Sequence, residues 1–224
     1  MIHTAISRSI KIHFTIYTSF SFMLFIQKIF LLICLYLFSS QSVLASSILE
    51  VDFHQVVNKA ESIFEGEVVA TSSEFSADGN IYTFVDFLVL DVLSGDLNIG
   101  ESITLRFTGG TVNGLTLNMD SSIPDIGEHG VYFIESINAQ LINPLYGWSQ
   151  GHYRIQADGH IIAGDNRVVI GAEENSRNNS SKQKLSTGTA RGIITLPQQQ
   201  VNTPPLSPPI SLYEFKRLIK DAKK

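Results

Sequence analysis

The sequence predicts a mainly β domain, a small barrel over residues 46–172 with a short helix at its N-terminal side. A flexible linker over 173–209 and an amphipathic helix over 210–224 follow it. Three observations carry this. Ile81–Leu93 is dense in β-branched and aromatic residues, which fit a pleated surface. Asp158-Gly159 stands between Gly151–Gln156 and His160–Ala163, a strong hairpin signal. Glu173–Leu206 shifts to Asn, Ser, Gln, Thr, Lys and Pro before a helical apolar period resumes at Leu212.

Residues 1–45 read as an export signal. Lys28 precedes the apolar run Ile29–Phe38, and Val43-Leu44-Ala45 sets small or modest residues before a cleavage between Ala45 and Ser46. The run is a signal-core length, short of the ~20 residues that span a bilayer as a helix. Because Phe14–Ile26 is also largely apolar, the competing arrangement is an uncleaved membrane anchor. Starting at Met23 gives a signal of ordinary proportions, so Met23 is the expected true start. Cleavage would remove the only cysteine, Cys34, which follows Ile33 where lipid attachment normally takes a small residue. The expected product sits in the periplasm or medium, without a stable anchor, held by core burial alone.

In the expected mature part, Asp52 caps a short helix, with Gln55 as reciprocal partner and Val56, Val57 and Ala60 facing inward. Ile63–Thr71 forms a strand whose Phe64, Gly66, Val68 and Ala70 face is the better core candidate, and Ser72–Asn80 is a polar loop. Ile81–Leu93 is apolar on both faces and so a central strand. Ser102–Thr108 alternates as a half-buried strand, and Val112–Leu117 is a weaker strand interrupted by Gly114. Val131–Glu135 is a short apolar strand, Leu141–Trp148 is irregular, and Arg167–Gly171 adds a last strand. Ser211 and Glu214 form a capping box for the final helix, whose Leu212, Phe215, Leu218, Ile219 and Ala222 share a face.

The first 45 residues hold three of the 16 basic side chains and none of the 21 acidic ones, leaving a net charge of 13 − 21 = −8. No basic patch suggests nucleic acid as a partner. There is no nucleophile elbow and no phosphate-cradling loop. Asp86 and Asp91 point to opposite strand faces, a poor acid/base pair. His152 and His160, across the Asp158-Gly159 hairpin, are the best metal candidate, but a zinc site needs three or four ligands and two surface histidines is the simpler reading. No catalytic, cofactor or metal residue is therefore assigned. Tyr146-Gly147-Trp148-Ser149-Gln150-Gly151-His152-Tyr153 is the most unusual segment. It forms either an aromatic recognition surface or a plug at one end of a barrel.

Ala60–Val68, Tyr82-Thr83-Phe84, Val89–Asp96, Ile103–Arg106, Gly109-Gly110 and Gly130–Ile134 occur in that order. This pattern, over roughly Leu49–Ile155, resembles exported, uncharacterised bacterial proteins with an OB-like barrel similar to the netrin/TIMP-like module. The resemblance implies a protein-interaction module. The protease-inhibiting members use an N-terminal cysteine held by disulfides, and Ser46-Ser47 stands at the expected start here. The expectation is an exported, non-catalytic binding module for a protein partner, a protease by analogy only. Its partner-binding rim would join Gly109 and Gly110 to Tyr146, Trp148 and Tyr153, with Trp148 as the leading residue. The alternative is an exported enzyme or metal-dependent protein with a site near His152 and His160.

Overall fold

The computed structural model describes residues 27–29, 31, 48–119, 123–172, 188–196 and 208–223. It divides into two units, Met1–Ala45 and Ser46–Lys224. In the first, Gln27–Ile29 and Leu31 are helical. Most of the apolar signal core, the Ala45/Ser46 cleavage site and the linker stretches 173–187 and 197–207 lie outside the described residues. Among the described residues no helix is long and apolar enough to cross a membrane.

The second unit begins with helix α1 (Phe53–Lys59), capped by Asp52, whose carboxylate accepts the His54 N–H at 3.0 Å. The Asp52 carboxylate also meets the Arg191 guanidinium at 3.4 Å. Strands β1 (Ser62–Phe75) and β2 (Ile81–Ser94) pair antiparallel from Phe75↔Ile81 to Ile63↔Ser94. The loop expected over Ser72–Asn80 thus contracts. Ser72–Phe75 continues the ladder against Ile81–Phe84, where backbone pairing outweighs the polarity of side chains at the sheet margin. Asp78 tightens the remaining turn by accepting the Asn80 N–H at 3.0 Å, and with the Tyr82 hydroxyl these bonds hold its carboxyl down at about 2.

Strand β3 (Ser102–Thr108) pairs with β2 in the expected alternation. The single interrupted strand expected at Val112–Leu117 is instead a hairpin of β4 (Gly110–Val112) and β5 (Leu115–Leu117). Asn113 and Gly114 have φ of 51° and 80°, the two left-handed residues that a two-residue hairpin turn requires. Strand β6 (His129–Ile134) lies on the other side of β1. It is followed by β7 (His152–Ile155), β8 (Ile161–Ala163), β9 (Val168–Ala172) and β10 (Ile193–Leu196).

The result is an eight-stranded antiparallel sheet, ordered β10-β9-β8-β7-β6-β1-β2-β3, with β4-β5 apart. The strands described do not close into a barrel. After β6 the chain does not return as a strand to β3. Residues 135–147 run irregularly through Pro144, touch β3 through the Thr108 N–H on the Ile142 carbonyl (2.8 Å) and bridge Leu145 to Ile134. Growth continues through β7–β10 on the far side. The linker is corrected as well. Residues 188–196 are built into the fold, with β10 paired to β9, Ala190 buried, and Arg191 bonded to Val51 and Phe53. Ile193, Ile194 and Leu196 supply the β-branched and apolar side chains that a purely polar tether lacks.

Apolar layers cover both faces of β1 and β6. On one face Phe64, Val68, Phe87, Val89, Leu105, Phe107, Tyr132 and Leu145 pack together. On the other Ile63, Val131, Phe133 and Tyr153 meet α1 and helix α2 (Leu212–Ala222) through Phe53, Val56, Phe215 and Ile219. The expectation of one core face on β1 is therefore corrected to two. Strand β2 shows the reverse. Ile81, Thr83, Val85, Phe87 and Val89 are buried, while Tyr82, Phe84, Asp86 and Leu88 are half-buried, so one face alone carries core. At the centre Gly66 pairs with Gly130, and the rings of Phe64 and Tyr132 fold back over them; a Cβ would stand 2.6 Å from the first ring and 2.9 Å from the second. The expected capping box opens α2, with Ser211 and Glu214 bonding each other's backbone.

Candidate functional site

The two segments expected to share one rim lie toward opposite ends of the β1–β2 ribbon. Gly109 and Gly110 sit over Thr83 and Ser73, near the turn that joins these strands; the Thr83 hydroxyl donates to the Gly109 carbonyl at 2.7 Å. Tyr146 donates its N–H to Phe133, which pairs with Ile63 at the start of β1. Gly109 is buried and Tyr153 is fully enclosed in the core. Neither presents a surface to a partner, because the strand pattern turns Tyr153 inward and the chain at Leu117 and Met119 lies against Gly109.

Tyr146 and Trp148 remain half-buried. Burial, aided by nearby Glu135, raises the Tyr146 hydroxyl above its ordinary value, against a hydrogen bond from Gln55. Trp148 opens a 3-10 turn (Trp148–Gly151) with φ of 60°, a conformation uncommon for a bulky residue. The turn is held by Gln150, whose side chain is fully buried. Its Oε1 accepts the Val51 N–H at 2.7 Å, and its Nε2 donates to the Leu49 carbonyl at 3.0 Å. The aromatic–glycine segment thus clamps the chain just before α1.

His152 and His160 do not come together. His160 pairs with Gln156 across the hairpin, four residues or about 13 Å of strand from His152. His160 is half-exposed beside Asp158 at 3.0 Å, while His152 is 2% exposed. Among the described residues no three His, Cys, Asp or Glu side chains gather as metal ligands.

What the structure does bring together is a charged groove where β6 starts. Residues 125–129 face the β7–β8 hairpin across an open groove of about 690 Å³, lined by Asp125, Ile126, Glu128, Arg154, Gln156 and Gly159. Ile126 is 64% exposed there. Behind the groove, His152 Nε2 donates to Glu128 at 2.5 Å, the Tyr132 hydroxyl donates to the same oxygen at 3.0 Å, and the two rings stack 5.3 Å apart. Burial works to raise the Glu128 carboxyl, but the bonds from His152 and Tyr132 and the Arg154 charge outweigh it and hold the group below its ordinary value. Burial, reinforced by Glu128, drives the Tyr132 hydroxyl far above its ordinary value, so it stays a donor.

A second chain of charges runs along the helix side. His129 meets Glu65 at 2.7 Å, and Lys216 of α2 bridges Glu65 and Asp91, the latter at 2.6 Å. The Lys216 hydrogen bond holds Asp91 down. Lys216 is itself raised, since its two carboxylate partners outweigh its burial.

Sequence reasoning missed Glu128, three residues ahead of the expected strand Val131–Glu135, and Gln150, which passed as part of an aromatic motif. A glutamate four residues before a buried tyrosine on a short strand was the available signal for the first. Nothing local marked the second, because its partners are about a hundred positions away. Comparison with family models, curated proteins and solved structures finds no match to this chain.

Proposed function

We propose that this chain is an exported, non-catalytic binding module that engages a protein partner through the groove between residues 125–129 and the β7–β8 hairpin. The observation that carries the reading is the groove itself. It offers exposed Ile126 between acidic Asp125 and Glu128 and basic Arg154, on a loop and hairpin anchored to the sheet. Rigidly presented apolar and charged side chains on loops suit recognition. The titratable groups behind the groove are committed to one another: His152 and Tyr132 both donate to Glu128. That arrangement favours a structural role over proton transfer to a substrate.

The export signal ending at Ala45 and the OB-like, netrin-like architecture belong to the same proposal. The way residues 141–145 bridge β3 and β6 supports a barrel-like end to the sheet. By that likeness the partner is an exported protein, and Trp148 marks a second surface to compare. The test is crosslinking of the purified protein in an envelope fraction, beside Ile126→Asp, Arg154→Glu and Trp148→Ala variants of equal thermal stability. Loss of a crosslinked partner in the two groove variants alone supports the groove. Loss with Trp148→Ala alone moves the interface to the 3-10 turn, and identical recovery from all four removes both surfaces.

A further inference from the structure

We propose that the turn between β8 and β9 forms a calcium site with Asp165, Tyr153 and Thr189 as side-chain donors. Among the described residues, Asp165 Oδ2, Arg167 Nε and Thr189 Oγ1 are buried side-chain atoms without a hydrogen-bond partner, and the buried Tyr153 Oη, beside the Ala190 N–H, has no side-chain partner. Native interiors rarely leave such atoms unmatched, and a bound ion is one of the standard explanations. Three of them share a neighbourhood. The Asp165 charge acts on the Tyr153 hydroxyl. A Cβ on Gly188 would stand 3.0 Å from the Asp165 Cβ, and Thr189 is the next residue. Two backbone carbonyls lie close to Gly164, the residue before Asp165, since a Cβ there would stand 2.0 Å from the Ser149 oxygen and 2.9 Å from that of Gly188.

The charges point the same way. Asp165 Oδ1 accepts the Arg167 N–H at 3.1 Å, while Arg167 Nη2 donates to the Thr195 carbonyl, drawing the guanidinium toward β10. A buried carboxylate oxygen favours a cation partner. The donors are a carboxylate, two hydroxyls and carbonyls, all hard oxygens in an irregular shell. Ca²⁺ accepts such a shell, Mg²⁺ demands a regular octahedron and Zn²⁺ prefers nitrogen and sulfur. With a single carboxylate the site falls in the weak class, with a Kd on the order of 10⁻⁴–10⁻³ M, as in extracellular modules. The ion would tie the β8–β9 turn to residues 188–190 and the 3-10 turn.

Terbium stands in for calcium and is excited through a nearby tyrosine, so its luminescence reports occupancy beside Tyr153. The purified protein should give Tb³⁺ emission that millimolar Ca²⁺ quenches and Mg²⁺ does not. Its Tm should rise by several degrees in calcium relative to chelator, as ligand linkage requires. Tyr153→Phe, which keeps the core ring, and Asp165→Asn should each lose the emission and the Tm rise. Absence of both signals in the native protein overturns the site, as does emission unchanged in both variants.

Discussion

The Phe215 ring of α2 lies 4.7 Å, centroid to centroid, from the Tyr153 ring of β7. A helix that a long polar segment separates from the sheet is therefore core. Phe53 joins the pair at 6.1 and 6.4 Å. Phe215→Ala should cost about 3–5 kcal/mol, the usual range for emptying a buried phenylalanine site. Thermal denaturation should show a Tm lowered by roughly 6–20 °C for a domain of this size. An unchanged Tm would mean that α2 contributes nothing to the fold.

Gln150 gives a second test. Alanine there strips partners from the Val51 N–H and the Leu49 carbonyl at once. The expected loss is about 2–4 kcal/mol, since both groups are part-buried and each falls toward the lower end of the about 1–3 kcal/mol that an unmatched buried group costs. Amide exchange should quicken at Val51 and in α1 ahead of β1. Uniform exchange across the domain would show that the clamp is not local.

The pH profile follows from the two charge networks. The Glu128 carboxyl is held below its ordinary value, so its contribution is fully present above the unfolded glutamate range and disappears as pH falls through the depressed folded value. Asp91 behaves the same way. Lys216 is raised, so its contribution is present below the ordinary lysine range and fades as pH rises through the elevated folded value. Denaturant midpoints should fall at both extremes. Glu128→Gln should flatten the acid limb, and Lys216→Met the alkaline limb; curves parallel to the native one would refute these assignments.

Two glycines four residues apart should respond differently to alanine. Gly110 has φ of 126°, and its Cβ would stand 2.2 Å from Thr83 Oγ1 and 2.8 Å from Ser73 Oγ, which bond each other. Gly114 has φ of 80° with open space around it. Gly114→Ala should cost about 1–2 kcal/mol for the left-handed backbone alone. Gly110→Ala adds overpacking of about 1–3 kcal/mol. Equal denaturation midpoints for the two variants would remove the steric argument.

Local signals were the legible part of this fold. Asp158-Gly159, the Ser211/Glu214 box and the alternation of Ile103, Leu105 and Phe107 each act within a few residues, and each appears where the sequence places it. Long-range pairing was not legible. Ile193–Leu196 reads as part of a polar tether until β9 is there to receive it, because four residues carry too little pattern to stand out. The second core face of β1 was hidden for a related reason: Ile63 shares its strand face with Glu65 and Glu67 and is buried in the cluster that holds Phe53, Val56 and Phe215. The groove was illegible because Glu128, Arg154 and Asp125 are ordinary surface residues until β6 and β7 pair.

Apolar layers on both sides of β1 and β6 have a consequence for folding fidelity. In a sheet buried on one side, sliding a strand by one residue turns its greasy face to water, and solvent rejects the error. Here a slipped strand would still find hydrocarbon on either side, so water is a poor proofreader for this pair. The steric keyway at Gly66 and Gly130 takes over that task. Each ring lies over the bare backbone of the glycine two residues along its own strand, and the native register sets both glycines opposite each other with the rings of Phe64 and Tyr132 5.4 Å apart. That paired contact is lost on a slip, so ring packing in place of solvent favours the correct alignment.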